Sequence, residues 1–219
     1  NEDTVSHFII HLMANDKFER LPVAFASDYV ETRIFTREFE TNQSKLRRFV
    51  AVSENEDAFG NILGNFFDQL DHRDIANGKS FRIRRLKKGL STGIETITFG
   101  ARPQFFFENT HHVSNQTGDV YFRPRNKRHE AVDSFQRPNN MYQMCHRKDL
   151  RHPVTQKGVH EALKYLGNPT NPRLYFVVPA TKFDNFSEQG YLGTSGKVLK
   201  SVDPVIQAVE QYALEIPSE

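Results

Sequence analysis

The stretch that decides the fold is residues 140–179, NMYQMCHRKDLRHPVTQKGVHEALKYLGNPTNPRLYFVVP. It opens with a strand-like run at 140–146 and ends with the apolar run 173–179. Between them, apolar residues recur at helical spacing over 155–166 and stop at Gly167, a residue typical of helix ends. A strand, a helix and a second apolar strand predict two parallel strands joined by a right-handed crossover.

An earlier helix is predicted upstream of this unit. Its apolar stripe consists of Phe59, Ile62, Leu63, Phe66, Phe67 and Leu70. Gly78 stands where a C-terminal cap is expected. At about 100° per residue, Asp68 falls nearly opposite this stripe, on a polar face that also carries Gly64 and His72. That face is either an ordinary solvated helix surface or one wall of a site.

The remaining segments complete the predicted organisation. Strand-like runs bounded by Gly, Pro or Asn are FRIRRL from Phe81, IETITF from Ile94, QFFF from Gln104, DVYFRP from Asp119, AVDSF from Ala131 and NMYQMCH from Asn140. A last helix is predicted with Asp203 as N-cap and Pro204 at its first position; it would bury Val205, Ile206, Val209 and Ala213.

The N-terminal part is predicted to be a helical lead-in. A capped helix is expected from Ser27 toward Phe49, while residues 5–13 fit either a strand or a buried helix turn. We therefore expect a lead-in over residues 1–55 packed on a core over residues 56–219, the two forming a single compact unit.

Composition narrows the class of protein. Hydrophobic residues make up 37% of the chain, with 19 Phe and no Trp, so a packed, Phe-rich core is expected. The single Cys145 excludes an internal disulfide and a cysteine-rich zinc site. No run approaches the ~18 apolar residues of a membrane span. We expect no membrane association.

Net charge is only +2, but basic residues cluster. One cluster contains Arg82, Arg84 and Arg85, a second contains Arg123, Arg125, Lys127 and Arg128, and a third runs from His146 to His152. Phosphate contacts require such local clusters, so the first two are candidate nucleic-acid-binding surfaces. Each cluster is equally compatible with a solvated face.

The strand around Gln143 carries the candidate chemistry. Since alternate side chains of a strand share a face, Gln143 and Cys145 point to one side together. A nuclease uses such convergence, because a divalent metal needs oxygen ligands from several directions. Other interpretations remain open: Asp133 as a turn or cap residue, Gln143 as a core amide, and Cys145 as a small buried hydrophobe. The histidines lack a clear metal-ligand spacing.

The order and spacing of several stretches resemble one family. They are SHFIIH from Ser6, FASDYVETRIF from Phe25, GNFFDQLDH from Gly64, YFRPRNKRHEAVDSF from Tyr121, the run from Asn140 to Leu163, and RLYFVVPATKF from Arg173. The chain resembles the C-terminal region of Crinkler effectors and retrotransposon-hot-spot proteins, whose last domain is similar to PD-(D/E)xK nucleases. The resemblance implies an α/β fold with a restriction-endonuclease-like α-β-β-β-α-β core, a helical N-terminal lead-in and a C-terminal helix.

The resemblance also implies a site. It puts Asp68 at the acidic position of the first core helix, Asp133 at the metal-ligand aspartate and Gln143 at the (E/Q) position of the next strand. Mg²⁺ or Mn²⁺ would be held by Asp68 and Asp133. At the position of the usual lysine this chain has Cys145, whose thiol supplies no fixed positive charge at neutral pH. Lys148 is the candidate for the phosphate side.

Two functions follow from the resemblance. The first is a metal-dependent, sequence-nonspecific DNA nuclease or its weakened descendant. The second is a non-catalytic effector that binds DNA, chromatin or a host protein on the same fold. Secretion by the source organism and action in a host cell, in the nucleus, are implied. In the family that the chain resembles, an NTPase domain often precedes this region, so one upstream in the parent chain is expected; these 219 residues contain no GxxxxGK[ST] loop.

Overall fold

A computed structural model of the protein describes residues 60–87, 93–125, 132–145 and 152–216 continuously. Before residue 42 it describes 10–11, 15–18, 24–27, 30, 33–34, 36–37 and 41. The chain divides into two compact units, residues 1–70 with 218–219, and residues 71–217. The predicted division after residue 55 lies outside the described residues and stays a prediction.

The first unit contains a short β-pair and the start of a helix. Strands β1 (Ile10–His11) and β2 (Ala24–Phe25) pair antiparallel. Ser27 Oγ accepts a hydrogen bond from the backbone N–H of Val30 at 3.2 Å, and the backbone is helical at Val30. This is the geometry of an N-cap, so the predicted start of a capped helix at Ser27 is confirmed. The predicted end at Phe49 lies outside the described residues.

Helix α1 (Gly60–Ala76) begins in the first unit and ends in the second. Gly78 follows it with φ +77°, as the predicted cap position requires. The other helices are α2 (Thr110–Asn115), α3 (Gln156–Tyr165), α4 (Ala180–Phe183) and α5 (Pro204–Gln207). The strands of the second unit are β3 (Ser80–Leu86), β4 (Ile94–Thr98), β5 (Gln104–Phe107), β6 (Tyr121–Pro124), β7 (Ser134–Gln136), β8 (Asn140–Met144), β9 (Val154–Thr155), β10 (Arg173–Pro179), β11 (Tyr191–Leu192) and β12 (Glu210–Ile216).

The second unit is mixed α/β, built on an eight-stranded sheet in the order β4-β3-β12-β10-β8-β7-β6-β5. Strand β10 pairs parallel with β8, with Phe176 opposite Gln143, and α3 connects the two strands. The parallel crossover predicted from residues 140–179 is therefore confirmed. Leu174–Val178 are buried without interruption, as in a central strand with both faces covered.

Each sheet face has its own core. One cluster joins Ile75 and Ala76 at the end of α1 to Phe81, Tyr142 and Tyr175. The other joins Phe122, Phe135 and Phe176 to apolar residues of α3, α4 and α5. Eight phenylalanines are buried in the part of the chain that the structure describes, which confirms the predicted Phe-rich core: Phe81, Phe99, Phe107, Phe122, Phe135, Phe176, Phe183 and Phe186.

The predicted start of the C-terminal helix is confirmed, but its predicted length is wrong. Asp203 does cap a helix, since its Oδ1 accepts from the N–H of Val205 at 2.8 Å, but α5 ends after one turn at Gln207. Residues 210–216 form β12, which lies between β10 and β3 and bonds to both. Val205 is 52% exposed, whereas Ala213 is fully buried in the sheet. Backbone pairing with two neighbours outweighs the helix propensity of the Ala and Leu in this segment.

Helix α2 was not predicted from the sequence. Asn109 caps it by accepting a hydrogen bond from the N–H of His112 at 3.1 Å. Its single buried residue, Val113, gave no apolar period to detect. Among the described helices, none has the length and apolar character needed to cross a membrane.

Candidate functional site

Asp133 and Gln143 meet across the β7–β8 hairpin. Ser134 lies opposite Tyr142 in the register, and Asp133 N–H donates to Tyr142 O at 3.1 Å, so Asp133 is placed beside Gln143. Gln143 Nε2 donates to Asp133 Oδ2 at 2.5 Å, and the N–H of Met144 donates to the same oxygen at 2.7 Å. The carboxylate is thus oriented by two N–H donors of the neighbouring strand.

His152 is a third member of this group, which we call the Asp133 cluster: Asp133, Gln143 and His152. His152 Nε2 lies 3.2 Å from Gln143 Nε2 and accepts a hydrogen bond from this amide. His152 N–H donates to Gln189 Oε1 at 2.6 Å. From the sequence, His152 is placed in a basic run and among histidines without a metal-ligand spacing, because it follows Gln143 by nine residues and no spacing rule links the two.

A buried polar pair holds the segment that carries His152. Gln189 N–H donates to Gln211 Oε1 at 2.8 Å, and Gln211 Nε2 donates back to Gln189 O at 2.9 Å. Gln189 is 6% exposed and Gln211 is 4% exposed. Since buried amides in reciprocal hydrogen bonds are costly to displace, β12 anchors the backbone beside the Asp133 cluster.

A second polar group lies on the other face of the hairpin. Tyr121 Oη is 2.9 Å from His72 Nδ1 and 2.5 Å from Ser134 Oγ, and all three residues are buried. Burial raises the pKa of Tyr121, the hydrogen bond to Ser134 and the charge of Arg123 lower it, and the charges of Asp133 and Asp71 raise it. The net effect is a raised pKa.

The acidic residues of α1 differ in their placement. Asp68 is partly buried and belongs to the first compact unit, whereas Asp133 belongs to the second. Asp71 and Asp74, in the second unit, are 1% and 0% exposed. The sequence analysis did not single them out. The sequence could have predicted their burial, because Asp71 follows Phe67 by four residues and Asp74 follows Leu70 by four, which places both aspartates on the apolar stripe of the helix.

Cys145 lies in the core. It is 4% exposed, belongs to the apolar cluster around Phe176, and its N–H donates to Val177 O at 2.9 Å. The interpretation of Cys145 as a small buried hydrophobe is confirmed. Lys148, the candidate cation for the phosphate side, lies outside the described residues, as do Lys127 and Arg128.

The arginines of the first basic cluster all have internal partners. Arg82 forms an ion pair with Glu215 at 2.7 Å, and Arg85 pairs with Glu210. Arg84 Nη2 donates to the backbone oxygens of Phe183 at 2.8 Å and Phe186 at 2.6 Å. These contacts tie β3 to β12 and to the α4 turn, so part of the predicted binding surface has a structural role.

Arg123 and Arg125, from the second basic cluster, lie at the β5–β6 edge. Arg123 Nη1 donates to Gln104 Oε1 at 2.9 Å, and its guanidinium lies 5.2 Å from the ring centroid of Phe106, which is 45% exposed. Arg125 Nε is 3.6 Å from Glu108 Oε1. An exposed aromatic ring beneath a guanidinium is compatible with nucleobase stacking.

The Asp133 cluster is a sparse donor set for a metal ion. Within residues 60–87, 93–125, 132–145, 152–216 and the shorter described pieces, no three His, Cys, Asp or Glu side chains are grouped so that they could hold one. Asp133 is the only carboxylate of the cluster. Mg²⁺ commonly binds through one or two carboxylates and completes its shell with water and substrate phosphate. The cluster therefore fits a cation only when substrate supplies further oxygens.

Comparison with known proteins gives one relative. The chain is similar to Crinkler effector protein 16 of Phytophthora infestans, with 21% identity over an alignment of 222 positions that covers 99% of this chain. The chain spans about a third of that relative, since the matched part is 32% of its length. No protein-family model matches the chain. No solved structure matches it.

Proposed function

We propose that the chain is a nucleic-acid-directed effector domain with a restriction-endonuclease-like core, and that it cleaves DNA without sequence specificity. The similarity to a Crinkler effector supports the effector class. The strand order of the sheet supports the proposed restriction-endonuclease-like core. Strands β6, β7 and β8 are adjacent and antiparallel, and α3 leads to β10, which is parallel to β8. With α1 upstream, these elements are consistent with the proposed α-β-β-β-α-β order, if β3, β4, β5 and α2 are insertions after α1 and β9 is an insertion before α3.

The observation that carries this proposal is the meeting of Asp133, Gln143 and His152 at the carboxyl end of β8. Asp133 supplies a carboxylate that is aimed by the Met144 N–H. Gln143 links this carboxylate to the imidazole of His152. A carboxylate, an amide and an imidazole in contact can orient a water molecule and move a proton during phosphodiester hydrolysis.

The proposed cofactor is Mg²⁺ or Mn²⁺, with Asp133 as a carboxylate ligand; Asp68 as a second ligand and Lys148 on the phosphate side stay predictions from the sequence. When bound, such an ion would polarise the phosphate and lower the pKa of a bound water. Asp133 is the residue of this set whose surroundings the structure describes in most detail, so it is the best position for a test.

The test is plasmid nicking by the 219-residue chain with Mg²⁺ or Mn²⁺, compared with the same reaction in EDTA. Asp133→Asn should reduce the nicking rate by about a hundredfold or more, the order of effect of removing one electrostatic catalytic group. The control is Asp119→Asn, because the Asp119 side chain is 68% exposed and forms an ion pair with Arg102, outside the Asp133 cluster. Absence of metal-dependent nicking, or equal nicking by Asp133→Asn, would overturn the nuclease proposal.

A second function is favoured by Cys145. Where the nuclease pattern has a lysine, this chain buries a thiol in the core. On this alternative the domain binds DNA, chromatin or a host protein without cutting. DNA binding that weakens with salt, survives Asp133→Ala and gives no cleavage would support it. Binding of host material that is insensitive to salt would point to a protein partner.

The proposed setting is a host cell. We propose secretion by the source organism and action in the host nucleus, with an NTPase domain elsewhere in the parent chain. The matched third of the Crinkler relative leaves room for such a domain in that protein. Expression of the chain fused to a fluorescent protein in host cells tests the location, since exclusion from the nucleus would contradict it.

A further inference from the structure

A groove of about 1100 Å³ runs along α3, apart from the Asp133 cluster. Its floor is the face of α3 that does not enter the core, including Lys157, His160 and Lys164. Its opposite wall is the turn after β11, with Leu192, Gly193 and Thr194. All of the lining residues belong to the second compact unit.

Lysines outnumber acids around this groove. Lys157 and Lys164 are exposed on α3, seven residues and therefore about 10 Å apart along the helix axis. The chain segment that forms the opposite wall continues through Lys197 and Lys200, both exposed.

The acids nearby are Glu161 and Asp203. Glu161 accepts a hydrogen bond from Tyr165 Oη at 2.6 Å, and Asp203 lies 3.8 Å from His160 Nε2. Four lysines, Lys157, Lys164, Lys197 and Lys200, stand against these two acids, so the net charge around the groove is positive.

One end of the groove is the N-terminus of α3. Thr155 lines the groove and caps this ten-residue helix, since its Oγ1 accepts from the N–H of Gly158 at 3.0 Å. A helix N-terminus favours anions. Together with the lysines, it makes this end suited to a phosphate group.

The groove adjoins the Asp133 cluster along the chain. Thr155 follows His152 by three residues, which span at most about 10 Å when extended. Val154 of β9 pairs with Tyr191 of β11, and Gln189, just before β11, holds the backbone of His152. The two segments that flank the cluster therefore also build the walls of the groove.

We propose that this groove binds a single strand of nucleic acid through its phosphodiester backbone and leads it to the Asp133 cluster. The proposal rests on the proposed function and adds where the substrate lies. The spacing of Lys157 and Lys164 matches about three nucleotides at ~3.4 Å per nucleotide of a stacked strand. A positive groove that follows a backbone is the usual means of binding single strands without sequence preference.

The test is fluorescence anisotropy of the 219-residue chain with labelled twelve-nucleotide oligothymidylate and oligouridylate at several salt concentrations. Lys157→Glu combined with Lys164→Glu should weaken binding by tenfold or more and reduce the slope of log Kd against log salt by about one to two. The matched control is Lys17→Glu combined with Arg33→Glu. It changes the net charge equally at exposed positions outside the groove and should alter Kd less than twofold.

Thermal unfolding of each variant checks that the fold is kept, and hydrogen exchange gives a second readout on the unmodified chain. Oligothymidylate should protect the backbone of residues 155–165 and 191–197. Absence of protection there, or equal binding by the groove variant, would overturn the groove proposal while leaving cleavage by the Asp133 cluster intact. Tighter binding of a duplex would overturn the assignment to a single strand. Absence of nucleic-acid binding by any form would overturn both proposals.

Discussion

Gln143 and Asp133 are joined by a 2.5 Å hydrogen bond from the Gln143 side-chain amide to Asp133 Oδ2, which also accepts the N–H of Met144. The same carboxylate oxygen therefore organises the hairpin and defines the candidate site. Structural and catalytic roles of Asp133 have to be separated by measurement.

Replacing Asp133 should destabilise the fold as well as affect activity. Asp133→Ala removes the acceptor of two N–H groups, so we expect the free energy of unfolding to fall by about 1.5–3 kcal/mol, the range for hydrogen bonds to charged groups. Asp133→Asn keeps one acceptor oxygen and should cost less. Urea unfolding measures both values. An Asp133→Ala variant as stable as the unmodified chain would contradict a structural role for Asp133. As the control, Asp119→Ala should change the free energy of unfolding by under about 0.5 kcal/mol.

Tyr121→Phe tests the buried polar group on the other face of the hairpin. The change removes the hydroxyl shared by His72 and Ser134. We expect a loss of about 1–3 kcal/mol, because buried polar groups lose a partner. Combining it with Ser134→Ala should give less than the sum of the single losses, with a coupling of at least about 0.5 kcal/mol in urea unfolding. Strict additivity would mean that the hydroxyl contact contributes nothing.

Cys145 is the only cysteine, so thiol reagents report on one position. Because it is 4% exposed, it should react with an aromatic disulfide reagent only as the chain unfolds, and urea should accelerate the reaction. Cys145→Lys should unfold the domain instead of restoring a nuclease lysine, since an unpaired ammonium would be buried. Rapid labelling of the folded chain, or a stable and more active lysine variant, would contradict this.

The C-terminal strand can be separated from the C-terminal turn by one pair of substitutions. Ala213→Asp places a charge at a fully buried position of β12 and should prevent folding. Val205→Asp makes the same kind of change on α5 at a position that is 52% exposed, and should be tolerated. Circular dichroism and thermal unfolding distinguish the two. Equal stability of the two variants would contradict the strand at residues 210–216 and favour the C-terminal helix that the sequence alone predicted.

Alkaline pH should unfold the protein through its tyrosines. Burial raises the pKa of all six described tyrosines, to about 12 for Tyr165 and Tyr212, where hydrogen bonds to Glu161 and Glu210 add to the effect. The folded state thus favours the protonated form. The resulting stability is complete below the unfolded pKa of 10.0 and is lost as pH rises toward 12.

Phenolate absorbance and circular dichroism, recorded together against pH, test this linkage. In the folded chain most phenolate should form above pH 10.0 and together with unfolding, while the chain in urea should titrate near 10.0. Full tyrosine ionisation near pH 10.0 with the fold intact would contradict the burial of these hydroxyl groups.

The sequence by itself determined the elements with a strong local pattern. Three elements follow from local sequence alone: β10 from its apolar run, α3 from its helical periodicity and the glycine at its end, and α1 from its apolar stripe. Each pattern is local because a helix or strand that buries one face repeats its apolar residues at a fixed spacing. The parallel pairing of β8 and β10 follows from those elements, since a crossover helix between adjacent strands requires it.

Only the tertiary structure decided what depends on distant partners. Residues 210–216 contain helix-forming residues, but they form a strand because β10 and β3 offer backbone partners on both sides. His152 enters the candidate site because Gln189 holds its backbone, and Gln211 holds Gln189 in turn. Neither contact can be predicted from local sequence, because hydrogen bonds between residues far apart in the chain produce no periodic pattern of residue types.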